Sequence, residues 1–330
     1  MKAVILKTKP GSVFHFGEYT PFAETFLDYT SAFPHSDTIF SAIVNIYDQV
    51  WPEDTVNFIN SFSRGEISLS SGMFYFKGKH KSIFFLPRPV LFLISNQDDW
   101  KKYKNVEWIS TGVWEHGINE NTVIVSKKFV CLKEEWDTLT SDNPESFRAY
   151  EIRTSPHVKV HSPVKEDSYY MQSDITILGN NDVEVGYYFM IDISGINDME
   201  EKRLKTVVNL LSDTGLGGQR TCGCGLFENI KWIDNPLPAP DSDDDKYYVN
   251  LSLVSPEDEI DKIIAYRVVI RGGRYSGEGY LKKVMMLHEG AVFNKKIAGR
   301  IVDISPEGNN KILRYGIGFF HPVKKKLINL

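Results

Sequence analysis

Residues 213–227 read "DTGLGGQRTCGCGLF", with five glycines between positions 215 and 225. Before them, "DMEEKRLKTVVNLLSD" (198–213) places Leu204, Val207, Val208 and Leu211 at spacings of three and four, and Glu200 and Glu201 load its start. That pattern predicts an amphipathic helix with acids at the positive end of its dipole. After them, "LFENIKWI" reads as a strand. The order helix, glycine loop, strand decides the fold class. A dinucleotide fold or a P-loop needs strand, loop, helix, so that phosphate meets a helix N-terminus. Here the loop leaves the negative end of the helix, a poor cradle for nucleotide phosphate. Gly215 is explained as a helix C-cap. Gly217, Gly218, Gly223 and Gly225 need another reason. Successive amides in such turns form anion-binding nests, and glycine lets an extended ligand lie on the backbone. With Gln219, Arg220 and Thr221 beside them, the loop suits a sugar-phosphate chain crossing a sheet edge.

Working outward, strand-like runs dominate: "KAVILK", "SIFFL", "VGYYFMIDI", "YYVNLSLV", "IIAYRVVI". A first helix is predicted from about Asp37 to Val50, with Ser36 or Asp37 as its cap. Strand, helix, strand, a long middle, strand, helix, strand is the βαββαβ plan of a ferredoxin-like domain. Residues 234–246, "DNPLPAPDSDDDK", read as a linker. Beyond it a second ferredoxin-like domain is expected over 247–330, with a short acidic helix at "PEDEIDKII". The prediction is an α+β chain: a domain over 1–233 carrying an inserted β-rich region at 61–175, the linker, then the second domain.

The formal charge of the 330 residues is −5, which excludes a protein coated in basic surface for nucleic acid, although basic clusters such as "WKKYK" and "VIRGGR" leave room for a local groove. Three cysteines are too few for a disulfide scaffold and suit a reducing compartment. The apolar run of "MKAVILKTKP" is too short for a signal core, and "IFFLPRPVLFLI" is split by prolines, so a cytoplasmic protein without a membrane span is expected.

The loop with its flanking helix and strand resembles the glycine-rich loop of the RAMP superfamily of CRISPR proteins. "HFGE…FPHSDTIFSAI" (15–43), "FLPRPVLF" (85–92) and "LHEGAVF…GRIVDI…LRYGIGFFHPV" resemble segments of one family in it, the fourth subunits of type III-A (Csm) effector complexes. The resemblance implies a non-catalytic RNA-binding protein of two ferredoxin-like domains, with no cofactor. It would grip the repeat-derived 5′ tag of the crRNA and bridge the large polymerase-like subunit to the adjacent backbone subunit. It also implies a thumb-like hairpin, which falls by position on "RTSPHVKVHSPVKEDSYYMQSDI" (153–175). The RNA-binding residues would be His15 and Gly17; His35, Ser36, Asp37 and Thr38; Arg153, His157, Lys159 and Lys165 on the thumb; and Gly215, Gly217, Gly218, Gln219, Arg220, Thr221, Gly223 and Gly225.

Two other chemistries compete with this reading. His35 is the candidate general base of a RAMP endoribonuclease that processes guide RNA, the alternative function. Cys222 and Cys224 form only a half-site for zinc, and packing under the loop is the simpler reading, so no metal is expected.

Overall fold

The computed structural model describes residues 1–19, 27–92, 101–159, 168–239, 247–273, 280–306 and 311–329. The chain opens with β1 (Lys2–Lys7) and the short β2 (Val13–Phe14), then α1 (Ser36–Val50) and α2 (Thr55–Ser63). Five strands and a helix follow: β3 (Ser68–Leu69), β4 (Met73–Lys77), β5 (Ser82–Pro87), β6 (Trp108–Ser110), α3 (Thr111–His116) and β7 (Thr122–Val125). Next come β8 (Phe129–Leu132), α4 (Lys133–Asp137), β9 (Tyr150–Lys159), β10 (Ser168–Ile177) and β11 (Glu184–Asp192). The stretch closes with α5 (Asp198–Thr214) and β12 (Asn229–Asp234).

Four strands hold the order β12-β1-β11-β4, all antiparallel. Numbered along a βαββαβ unit, this is 4-1-3-2, with α1 in the first crossover and α5 in the second. The centre of the sheet is the most apolar part. In β11 every residue from Val185 to Ile191 is buried, as expected for a strand covered on both faces. The same sheet continues through β5, β6, β8 and β7, so residues 78–132 lengthen it. Residues 73–77, within the 61–175 stretch, supply its second ferredoxin strand.

Helix α5 docks as its periodicity requires. Leu204, Val207, Val208 and Leu211 are all fully buried, each contributing about 1.5–3 kcal/mol of apolar burial. Its start is a capping box: Asn197 Oδ1 accepts from the Met199 and Glu200 amides at 3.0 Å, and Glu200 accepts from the Asn197 amide at 3.0 Å. At its end, Gly215 donates to Leu211 O at 2.9 Å.

Beyond residue 246 lie β13 (Tyr247–Asn250), β14 (Ile263–Ala265), β15 (Val268–Arg271) and β16 (Val284–Leu287). They are followed by β17 (Val292–Phe293), β18 (Val302–Asp303), β19 (Leu313–Arg314) and β20 (Phe320–Val323). The order β20-β13-β17-β14 repeats 4-1-3-2. Among the described residues, however, its crossovers carry no α-helix. The helix expected at 256–264 is a 3-10 turn at Ile260–Lys262, and Ile263 pairs with Phe293 in the sheet. Two consecutive β-branched isoleucines prefer that pleated surface, and the acids before them are solvent-facing turn residues rather than a helix N-terminus. The second crossover holds the β18–β19 ribbon.

The halves share one core. Tyr315 of the second stacks near Phe40 of α1, with ring centroids 5.2 Å apart, and its hydroxyl accepts from the Leu69 amide at 3.0 Å. Val249, Leu251 and Ile317 join the same buried cluster as Ile39 and Leu69.

Candidate nucleic-acid interface

A cleft of about 290 Å³ lies where the start of α1, the segment after β2, the glycine loop and the second half meet. It gathers His15, Gly17, Asp37, Thr38, Gly217, Gly218 and Arg220, seven of the residues singled out in the sequence. The lining also includes two arginines not named as site residues in the sequence: Arg271 at the end of β15, within the basic cluster "VIRGGR", and Arg314 in β19.

The two arginines converge on Asp37. Arg271 Nε donates to Asp37 Oδ2 at 2.9 Å, and its Nη2 donates to Oδ1 at 3.1 Å, a bidentate pair. Arg314 Nη1 donates to Oδ2 as well, and Arg314 Nη2 donates to Gly272 O at 3.1 Å. Arg271 also reaches Gly17 O at 3.1 Å. Burial alone would raise the Asp37 pKa, but the two guanidiniums overcome it and hold the carboxyl well below the usual range. Two cations against one anion leave the back of the cleft positive, with exposed Arg220 at its mouth.

Asp37 is therefore not the cap of α1. His35 holds the N-cap position without a side-chain capping bond. Ser36 Oγ accepts from the Leu253 amide at 3.0 Å, joining the helix start to the second half. His35 is 2% exposed, and its Nδ1 lies 2.8 Å from Glu289 Oε1, which Ser71 Oγ also contacts. An imidazole enclosed in this way is not presented to a ribose hydroxyl, so the geometry gives the general-base role no support.

The loop rests on the chain itself. Gly217 has φ +96°, and a Cβ there would lie 2.5 Å from His15 O; Gly225 has φ +86°, and its Cβ would lie 2.4 Å from Leu216 O. Gly218 N donates to His15 O and Gly225 N to Val13 O, each at 2.8 Å. Gly217 and Gly218 thus answer to close packing against the segment after β2, where the room they leave is taken by His15 rather than by a ligand, and Gly225 closes on the loop's own Leu216. Gly217→Val should accordingly lower stability by about 2–4 kcal/mol through backbone strain and overpacking, read as a fall in Tm. A protein with unchanged Tm would show that this contact is not binding on the loop. Gln219 sits at φ +55°, and its carbonyl accepts from the Cys222 amide at 2.9 Å. Thr221 belongs to the 3-10 turn Arg220–Cys222 beside it, and Gly223 follows that turn. Cys222 is exposed and Cys224 buried.

Strands β9 and β10 form a long antiparallel hairpin, Tyr150 opposite Ile177 and Lys159 opposite Ser168. Among the described residues only its root joins another strand, with Phe14 opposite Ile175 and Val13 opposite Thr176. His15 Nδ1 lies 2.7 Å from Ser173 O, which ties the cleft to that root. Arg153 and His157 stand out on the arm, away from the cleft. Arg153 pairs with Glu151 at 2.7 Å, and the His157 ring stacks on Tyr170 at 5.6 Å. Lys159 ends β9, and Lys165 lies outside the described residues.

Residues 243–323 match the family model of the CRISPR Csm4 C-terminal domain. The chain is 28% identical to the CRISPR system Cms protein Csm4 of Methanocaldococcus jannaschii, over 94% of this chain and 90% of that protein. It is 22% identical to the Csm4 protein of Thermococcus onnurineus, over 87% of this chain and 90% of the relative. Among solved structures it is similar to a chain of the Csm3-Csm4 subcomplex in the type III-A CRISPR-Cas interference complex, with a TM-score of 0.71, 22% identity, and coverage of 98% of this chain and 100% of that one. A chain of the Csm1-Csm4 cassette in complex with cA4 has a TM-score of 0.58 at 17% identity, covering 100% and 99%. No helix among the described residues is long and apolar enough to cross a membrane. The α+β architecture expected from the sequence is the one observed; residues 243–323 carry the Csm4 C-terminal domain, and the chain is similar to Csm4 proteins in sequence and in fold over nearly its whole length.

Proposed function

We propose that this protein is a non-catalytic, crRNA-binding subunit of a type III-A effector complex, gripping the repeat-derived 5′ tag of the guide. In that setting it bridges the large polymerase-like subunit and the adjacent backbone subunit, a reading supported by the partners named for the similar folds, Csm1 and Csm3. The division at residues 234–246 belongs to the same proposal, each half presenting one wall of the cleft. The observation that carries it is the meeting of Arg271 and Arg314 on a single carboxylate at the back of an open cleft whose lining also includes Arg220. A surplus of fixed positive charge, with the hydroxyl of Thr38 beside it, suits a chain of phosphates. An overall acidic protein needs only such a local groove when most of its surface faces other subunits.

Arg220 gives the direct test, because it is exposed and its loss strands no buried partner. Arg220→Ala should fold normally, weaken binding of a labelled single-stranded tag RNA, and reduce the magnitude of the slope of log affinity against log salt by about 0.7 for one lost phosphate contact. An unchanged affinity and slope in a folded protein would remove the loop from the RNA interface. The same assay decides the catalytic question: RNA shortened by wild type, and left intact by His35→Ala, would replace this reading with the endoribonuclease.

A further inference from the structure

Both ends of the glycine loop are pinned, since Gly218 and Gly225 donate to the His15 and Val13 carbonyls at 2.8 Å. The middle stands in solvent. Arg220, Thr221, Cys222 and Gly223 are all exposed, and a Cβ at Gly223 would meet nothing within 4 Å among the described residues. This turn is held by its own backbone. The Gln219 carbonyl accepts from the Cys222 amide at 2.9 Å and from the Cys224 amide at 3.3 Å, and the Arg220 carbonyl accepts from the Gly223 amide at 3.0 Å.

Two of the three thiols of the chain sit on this turn, one on each side of Gly223. Cys222 is exposed, its Sγ 3.6 Å from Gln219 Oε1, while Cys224 is buried beneath the turn. Burial is the first cause that pushes the Cys224 thiol up, and Asp174 and Cys222 add to it, so the two sulfurs feel one another. Gly223 has left-handed helical dihedrals, φ 85° and ψ 7°. A helical residue leaves its flanking Cα atoms roughly 5.5 Å apart, within the roughly 4.4–6.8 Å that a disulfide spans. An accessible thiol beside a sheltered one is the arrangement of a peroxide-reactive cysteine with its resolving partner. Cys131, the third, is fully buried in β8, where burial raises its pKa and keeps it inert.

We propose that Cys222 and Cys224 are a reversible oxidation site that closes a disulfide in response to a peroxide, and that closure moves Arg220 at the cleft mouth. The Cys222 thiolate attacks one peroxide oxygen; the O–O bond breaks, leaving a sulfenic acid and hydroxide. The Cys224 thiolate then attacks the Cys222 sulfur, so that the S–S bond forms, the S–O bond breaks and a second hydroxide leaves. The two thiol protons convert both hydroxides to water. Two thiols thus lose two electrons, and the peroxide gains them. In the reduced turn Cys222 faces solvent and Cys224 the interior, so the bond cannot close without backbone movement. The bonds that give way are those on the Gln219 and Arg220 carbonyls, and the solvent around Gly223 leaves room for the change. A disulfide across a single residue is strained and exposed, hence easily reduced again, as a transient signal in a reducing compartment requires. The effect through Arg220 rests on the RNA-binding reading; the disulfide itself does not.

The test uses the full chain, reduced with dithiothreitol, desalted and treated with a small molar excess of hydrogen peroxide. Free thiols counted in denaturant should fall from three to one, and the tryptic peptide 221–231, which holds both cysteines, should become two hydrogens lighter. Dithiothreitol should reverse both changes, and Cys222→Ser, a substitution on the exposed turn, should abolish them. The oxidised protein should bind labelled single-stranded tag RNA about two- to fivefold more weakly than the reduced one, the worth of one exposed ionic contact. In Arg220→Ala the reduced and oxidised forms should bind alike. A full complement of surviving thiols, oxygen gained on Cys222 in place of the bond, or dimers linked through Cys222 would each overturn the site. A clean disulfide with unchanged RNA affinity overturns the link to Arg220. A reduced protein that binds no tag RNA overturns the RNA-binding reading and that link together, while the thiol count still decides the disulfide.

Discussion

Asp37→Ala should be among the most destabilising single substitutions in the chain, at about 3–5 kcal/mol, measured as a lowered urea midpoint and Tm. The carboxylate is 5% exposed and answers two guanidiniums that are themselves buried at 7% and 9% exposure. Removing it strands both cations in a low-dielectric site, and the penalty of an uncompensated buried charge exceeds the worth of the bonds lost. The ion group also ties the start of α1 to β15 and β19, so the interface between the halves opens with it. Asp37→Asn keeps the shape and some of the hydrogen bonds and should fall between wild type and alanine. Replacing Arg271 and Arg314 together by methionine in the Asp37→Ala background should recover much of the loss, because no buried charge then remains. An alanine variant within 1 kcal/mol of wild type would show that water reaches the cluster.

Glu289, together with Asp37, shapes the acid side of the stability curve. Its pKa is lowered from 4.5 to about 2 in the fold, so the unfolded chain binds the proton more readily. The stability it contributes is fully present above about pH 4.5 and is lost as the pH falls toward 2. His321, pushed down to about 4 chiefly by burial, acts earlier. It favours the unfolded chain as the pH falls from 6.5 to 4, so the two windows separate. Glu289→Gln should be about 1–3 kcal/mol less stable at pH 7, since a neutral amide holds the His35 and Ser71 hydrogen bonds less strongly than a carboxylate does. Below pH 4.5 its urea midpoint should then change less steeply than that of wild type. Parallel curves for the two proteins would mean that Glu289 does not keep its charge in the fold.

The parts of this molecule legible in the sequence are those fixed by local chemistry. Helix α5 was readable because Leu204, Val207, Val208 and Leu211 share one face between a capping box and Gly215, and α1 began within one residue of its expected start. The helix–loop–strand order correctly excluded a nucleotide fold. The glycines were harder. Sequence shows that side chains are absent but not what fills the space, and at Gly217 the occupant is His15 O. Arg271 and Arg314 were missed because they lie 234 and 277 residues from Asp37. Arg314 looks like an ordinary strand cation, and the local signs at Arg271 were the basic cluster "VIRGGR" and a strand face shared with buried Val269. The pairing of His35 with Glu289, 254 residues away, is equally silent in one dimension. The acids at 256–261 mimicked a helix start, and only the pairing of β14 with β17 reveals otherwise.

The β9–β10 arm is a lever. From its last root pair at Ile175 to Ser168 it runs about 24 Å, at about 3.4 Å per residue. An angular error of roughly 5° at the root would displace the far end by roughly 2 Å at that length. The pointing accuracy of the arm is therefore decided by its pivot rather than along its length. At that pivot, His15 and the Leu27 and Asp28 carbonyls meet Ser173, the Ser173 hydroxyl lies 2.7 Å from the Thr154 hydroxyl, and the Ser12 carbonyl holds the Ile177 amide. His15, which lines the cleft beside the glycine loop, is thus also a bearing of the arm, so the cleft and whatever the arm touches keep a fixed distance from one another.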